Sequence, residues 1–184
     1  MKKYLVCLLI NLLALPTLAN ESGFNFGAEL GIDRLEIDNA FSLRGSAVEA
    51  DTLSLSTSVG YQWKNHFLIE AGVSVGTGDL FFGTFDDYKN IKLEALIGYS
   101  FHLSDRFIIE PKIGKADWEL KAKEGIFLNP GPEEERTFEG TDNIWQVNVK
   151  FSVSRNVNLN LSHEQHDADY GEFQSTRFGV NIFF

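Results

Sequence analysis

From Phe24 to Phe184 apolar side chains recur at every second position in one segment after another, and no other feature constrains the fold as strongly. A strand turns successive side chains to opposite faces, so a period of two belongs to β-structure, whereas a helix would repeat every three to four residues. Nowhere after the first twenty residues does an apolar pattern hold helical spacing for more than a turn or two. The chain is therefore expected to be all-β.

Eight such segments can be read. Phe24, Phe26, Ala28, Leu30 and Ile32 share one face of the first, and Leu53, Leu55, Val59, Tyr61 and Trp63 one face of the second. The third carries Phe67, Ile69, Val73 and Val75, and the fourth runs from Ile91 to Leu103. The fifth (Phe107, Ile109, Pro111, Ile113) is the poorest, because Pro111 has no N–H for a ladder bond, and a bulge is expected there. Trp145 to Val153, Val157 to Leu161, and Phe178 to Phe184 complete the set. An even count brings both termini to one side.

Three connections are short, around Lys64-Asn65-His66, Ser104-Asp105-Arg106 and Ser154-Arg155-Asn156. Each must hold an odd number of residues to keep the apolar face in phase, and three is the simplest choice. Asn156 alone suits a left-handed last position. The other connections, roughly 34–51, 77–90, 117–143 and 165–173, are long and rich in Gly, Asp and Glu. Short turns at one end and long loops at the other is the outer-membrane pattern.

A water-soluble eight-stranded barrel with its apolar face inward is the structural rival. Three features oppose it. The polar face is built of Gly, Ser and Asn, small enough for a narrow lumen. Aromatic residues gather beside the short turns (Tyr61, Trp63, Phe67, Tyr99, Phe101, Phe107, Phe151) and at Phe184, as an interfacial girdle would. Charges of both signs sit on the small-residue face: Glu29, Glu70, Lys92, Glu94, Glu110, Lys112, Lys150, Glu164 and Arg177. Such charges are expected to pair across a lumen, since a charge facing lipid at the midplane costs about 2–4 kcal/mol. The expected fold is an eight-stranded antiparallel up-and-down transmembrane β-barrel, monomeric, with a lumen filled by side chains.

The first residues read differently. Lys2 and Lys3 precede an apolar run from Tyr4 to Leu15, and Thr17 and Ala19 are small. That order fits a secretory signal peptide over residues 1–19, with the barrel over 20–184, and the run is shorter than the roughly 20 residues a spanning helix needs. The single cysteine, Cys7, falls within it, so the remaining chain has no thiol chemistry. A net charge of −10 argues against nucleic acid as a partner. No phosphate loop, dinucleotide fingerprint or zinc spacing is present, and no cofactor is expected.

With its final Phe178-Gly179-Val180-Asn181-Ile182-Phe183-Phe184, the chain resembles the small outer-membrane barrels of the OmpA transmembrane-domain and OmpX type. The resemblance implies a bacterial outer-membrane location, with short turns and both termini in the periplasm and the long loops outside. It also implies lipopolysaccharide as surrounding lipid, and recognition of the last strand by the barrel-assembly machinery through Phe178, Val180, Ile182 and Phe184. No peptidoglycan-binding domain is expected after Phe184. A structural, envelope-integrity or adhesion role follows by resemblance alone. A lipid-A-modifying enzyme and a narrow channel are the alternatives.

Against the enzyme, His163 has outward parity, but two residues on stands Gln165, which has no hydroxyl to serve as nucleophile, and Ser162 points the other way. Glu164, His166, Asp167 and Asp169 could hold a metal, although a solvated acidic loop explains them as well. Acidic loop residues (Asp86, Asp87, Glu133 to Glu135, Asp142) could bind divalent cations that bridge to lipopolysaccharide phosphates. Phe81, Phe82, Phe85 and Phe127 are the candidate loop contacts.

Overall fold

The computed structural model describes residues 22–37, 48–78, 87–123, 135–168 and 171–184. Eight strands form: β1 (Gly23–Ile37), β2 (Val48–Gln62), β3 (Phe67–Gly78), β4 (Asp87–Tyr99, resumed at Phe101–His102), β5 (Phe107–Lys123), β6 (Glu135–Ser152), β7 (Val157–Ala168) and β8 (Gly171–Phe183). Each pairs antiparallel with its neighbours in sequence, and β8 pairs with β1, from Asn25↔Phe183 to Ile37↔Gly171. The sheet is thus a closed up-and-down barrel. The stretches 1–21, 38–47, 79–86, 124–134 and 169–170 lie outside the described residues, and with them Phe81, Phe82, Phe85, Phe127 and the leader over 1–19.

Following partners around the barrel measures its stagger. Asn25 pairs with Gly60, then come Glu70, Leu96, Gly114, Ile144, His166 and Phe173, and the circuit returns to β1 at Leu35. From position 25 to position 35 is a shear of ten residues. For eight strands this sets a tilt of about 40° and an interior wide enough only for side chains.

The alternation places the apolar face outside. Phe24, Leu30, Ile113 and Phe178 are each more than half exposed, whereas the opposite face buries Lys92, Glu110, Lys112, Lys150, Glu164 and Arg177. A water-soluble monomer rarely exposes a contiguous apolar patch beyond a few hundred Å². An apolar belt around a whole barrel is the surface of a bilayer-spanning protein, and the inward-facing soluble rival fails on this orientation.

All three tight turns hold three residues. Trp63 donates to the Phe67 carbonyl (2.8 Å), Leu103 to Phe107 (2.9 Å) and Val153 to Val157 (2.9 Å). Their chemistry differs from the sequence reading. His66, not Asn156, is left-handed, with φ of 67°. Ser104 Oγ accepts from the amides of Arg106 (3.3 Å) and Phe107 (3.1 Å), and Ser154 Oγ from that of Asn156 (3.4 Å). A serine hydroxyl closes those turns in place of a left-handed residue, and the 64–66 turn has no serine. Asn156 instead ties the end of β8, accepting from the Phe183 amide (2.8 Å) and donating its side-chain amide to the Phe183 carbonyl (2.9 Å).

No bulge forms at Pro111. It stays in register opposite Val147, between Glu110↔Asn148 and Lys112↔Gln146. Toward β4 the ladder lapses at Tyr99 and Ser100 and resumes at Phe101↔Ile109 without a shift. One missing N–H removes one bond from a ladder held on both sides, and the barrel skips it. The strands also run well past the expected loop boundaries, with β5 and β6 still paired at Lys123↔Glu135.

Candidate functional site in the lumen

The shear brings inward-facing charges from non-neighbouring strands together in two groups. Nearer the tight turns, Lys112 Nζ lies 2.8 Å from Glu70 Oε1, and Lys150 Nζ lies 2.6 Å from Glu110 Oε2. Glu110 stands 4.0 Å from Lys112 and accepts the Ser100 hydroxyl at 2.8 Å. The Phe183 ring sits 5.4 Å from Lys150 Nζ. Every one of these carboxylates and ammoniums is buried, and each has an opposite charge within reach, as buried charges require.

Toward the long connections, Lys92 contacts Glu164 and lies 3.0 Å from Glu94. Arg177 forks between Glu164 Oε2 (3.2 Å) and Asp33 Oδ1 (3.3 Å). Asp33 also accepts the hydroxyls of Ser54 (2.7 Å) and Ser175 (2.5 Å). Glu29 belongs to neither ion-pair group; Asn160 and Ser162 donate to its two oxygens. Small residues make the room. A Cβ at Gly72 would come 2.8 Å from Glu94 Oε1, and one at Gly140 2.6 Å from the Trp118 ring.

Above the second group the lumen turns apolar. Leu35, Tyr88, Trp118, Leu120 and Phe173 are almost fully buried, and the Phe173 ring lies 5.1 Å from Lys92 Nζ. Asp142 points inward, accepts from the Trp118 indole, and stands 3.6 Å from His166 Nδ1. The lumen is therefore plugged by ion pairs in the middle and by packed rings and leucines at the long-connection end.

All eight charges expected in the lumen network face the lumen, as does Glu164, but Glu29 makes no ion pair among the described residues. Asp142 and most of the apolar plug (Leu35, Tyr88, Trp118 and Leu120) were missed, and Asp33 was not counted among the paired charges. Leu35, Trp118 and Leu120 sit where sequence reading ended the strands, yet a signal existed. From Gly114 onward the apolar residues of β5 switch to inward positions (Ala116, Trp118, Leu120) while Lys115, Asp117 and Glu119 face out. Phe178 and Val180 of the expected assembly signal face outward, and Ile182 and Phe184 are half-buried beside the tight-turn end, where the Phe184 amide donates to Phe24 O at 2.9 Å.

His163 faces outward with Nδ1 3.1 Å from Thr176 Oγ1 on β8, so a hydroxyl does reach it, from the neighbouring strand rather than along its own. The Trp145 ring packs 5.8 Å from the imidazole, and among the described residues no carboxylate bonds to that ring. Glu164 is engaged by Lys92 and Arg177, and among the described residues no group of three or more His, Cys, Asp or Glu is arranged to hold a metal ion. The girdle residues touch one another: Phe24 and Tyr61 at 5.0 Å, Phe67 and Tyr99 at 5.3 Å, Phe107 and Phe151 at 5.1 Å.

Residues 5–184 match the family model described as the outer membrane protein beta-barrel domain. No curated protein sequence matches the chain. Among solved structures it is similar to Neisserial surface protein A, at 15% identity over 90% of this chain and 100% of that one, with a TM-score of 0.65. It is also similar to Ail, the attachment invasion locus protein of Yersinia pestis, solved in complex with the heparin analogue sucrose octasulfate. That match has 14% identity, covers 88% and 99% of the two chains, and has a TM-score of 0.58. The N-terminal β-barrel domain of Pseudomonas aeruginosa OprF aligns at 14% identity over 88% and 98%, with a TM-score of 0.54.

Proposed function

The chain belongs to the outer membrane protein beta-barrel domain family, and from that premise we propose that it is a structural and surface-interaction protein whose lumen is inert and whose contacts are made from its outer wall and long connections. The observation that carries this reading is the sealed lumen: two ion-paired groups below a plug of Leu35, Trp118, Leu120 and Phe173. An eight-stranded wall with ten residues of shear has no spare width once such side chains are inside. The reading is of a non-enzyme, because acyl transfer needs a nucleophile, a base and a group orienting the base, and His163 has a hydroxyl on one side only.

In this reading residues 1–19 direct export, the short turns and both ends lie in the periplasm, and the long connections are extracellular. Phe178, Val180, Ile182 and Phe184 present the closing strand to the assembly machinery. An adhesion role draws support from similarity in fold to a surface protein and to an attachment protein. Planar-bilayer recordings with the purified full chain test the central point. No steady conductance is expected, and a reproducible open level would overturn it. Unchanged lipid-A mass spectra on deleting and restoring the gene would agree with a non-enzyme; a lost acyl or phosphate modification would refute it.

A further inference from the structure

The outer apolar band has two heights. Ten residues of shear over eight strands raise each step from strand to strand, in chain order, by about one and a quarter residues along the axis, and each residue spans about 2.5 Å of it. On that scale the edge at the tight turns is level, with Phe24, Phe67, Phe101, Phe107, Phe151 and Phe184 within about two residues of one another. The opposite edge is stepped. On β1 to β4 the last outward apolar residues are Ile32, Leu53, Val75 and Ile91; on β5 to β8 they are Ile113, Trp145, Leu161 and Phe178. The second set lies about four residues, or about 10 Å, lower.

The band is thus about 24 Å tall on one half of the wall and about 14 Å on the other, where an outer-membrane barrel offers about 25 Å. Tilting the barrel would displace both edges together and cannot level a wedge. In the gap stand Lys115, Asn143, His163, Gln165, Gln174 and Thr176, exposed or half-exposed, at the height of Leu30, Leu55, Val73 and Leu93 on the other half. Polar groups at that depth need a polar occupant, because acyl chains leave their hydrogen bonds unmade.

The size of the notch selects among occupants. Four strands about 4.8 Å apart and a step of about 10 Å enclose about 200 Å². A stable protein partner, a second copy included, buries about 800 Å² on each side, so the notch is the size of a headgroup. Its chemistry is that of a sugar site, with amides and a hydroxyl beside the paired rings of Trp145 and His163. Lys115 is the one cation among the described residues at this level, and of the acids on the rim Asp117 accepts the Thr141 hydroxyl (2.5 Å) while Glu172 is held by Gln165 (2.5 Å) and Gln174 (2.8 Å) at the other end.

We propose that this notch seats the phosphorylated sugar headgroup of one outer-leaflet glycolipid, with Lys115 on a phosphate and Asn143, Gln165, Gln174 and Thr176 on sugar hydroxyls. The assignment of leaflet rests on the orientation given above. Native mass spectrometry of the full chain released from phosphatidylglycerol nanodiscs doped with diphosphorylated lipid A tests the site. Since those discs carry glycolipid on both faces, the readout is independent of cellular orientation.

The wild type should retain one lipid A per barrel about tenfold more strongly than a variant carrying Lys115→Leu, Asn143→Leu, Gln165→Leu and Thr176→Val. Those positions face outward into lipid, and heat-modifiable migration in gels confirms that the variant is folded; should it misfold, Lys115→Leu alone should still lower retention. Equal retention by variant and wild type, equal retention of phosphatidylglycerol, or a doubled protein mass would each overturn the proposal. Labelling of a Ser46→Cys variant by an impermeant maleimide on whole cells reports the orientation separately. Its failure removes the outer-leaflet source even where the disc experiment succeeds.

Discussion

Arg177 on β8 lies 3.3 Å from Asp33 on β1, across the strand pair that closes the barrel. The ion pair is diagonal, since Arg177 is opposite Gly31 and Asp33 opposite Ser175. A Cβ at Gly31 would come 2.6 Å from Arg177 Cγ, so the glycine leaves the arginine its path. Both charges are fully buried; without Arg177 the Asp33 carboxylate keeps only the Ser54 and Ser175 hydroxyls, whereas Arg177 without Asp33 still has Glu164. Arg177→Met should therefore cost about 3–5 kcal/mol in urea unfolding from detergent or bilayers, and Asp33→Ala less. A loss below about 1 kcal/mol would mean that the seam does not depend on the pair.

The two lumen groups share no ion pair within 4 Å among the described residues. Lys112→Met and Arg177→Met should therefore combine additively, to within about 0.5 kcal/mol. Lys92→Met and Arg177→Met both act on Glu164 and should deviate from additivity by about 0.5–3 kcal/mol. Double-mutant cycles on unfolding free energies give both numbers from three variants each.

His66 bears a left-handed backbone that a β-branched residue adopts at a cost. His66→Val should destabilise by about 1–2 kcal/mol, and His66→Asn should stay within about 0.5 kcal/mol of the wild type. Equal effects of the two would show that the imidazole contacts with Tyr99 and His102 matter more than φ.

Gly140 makes room for the Trp118 ring in the plug. Gly140→Val should overpack it, costing about 1–3 kcal/mol, and shift Trp118 fluorescence, read in a Trp63→Phe, Trp145→Phe background. An unchanged spectrum and stability would place the ring elsewhere.

Where the wall meets acyl chains, period-two hydrophobicity revealed the strands, their inward faces and the three-residue turns, because lipid demands an apolar side chain at every outward position. Above that zone water bathes the outside, and the pattern inverts: Leu35, Tyr88, Trp118 and Leu120 turn in while Arg34, Lys89, Asp117 and Glu119 turn out. A single phase of alternation ends at these stretches, although their ladder bonds continue unbroken. The pairing of lumen charges was hidden for another reason. It depends on the shear, and so on eight registers at once, which no local pattern contains. Asp33, on the polar face of the first segment, was not counted among the lumen charges because it stands at the point where the alternation on β1 changes phase.

The ring closes between the first strand and the last, with Phe184 N bonded to Phe24 O and Arg177 to Asp33. The growing polypeptide thus has no partner for Gly23–Ile37 on that side until Gly171–Phe183 has been made. During synthesis and transit the open edge of β1 is a template for any other strand. Completion is all or nothing: a truncation of a single strand leaves two raw edges in place of none.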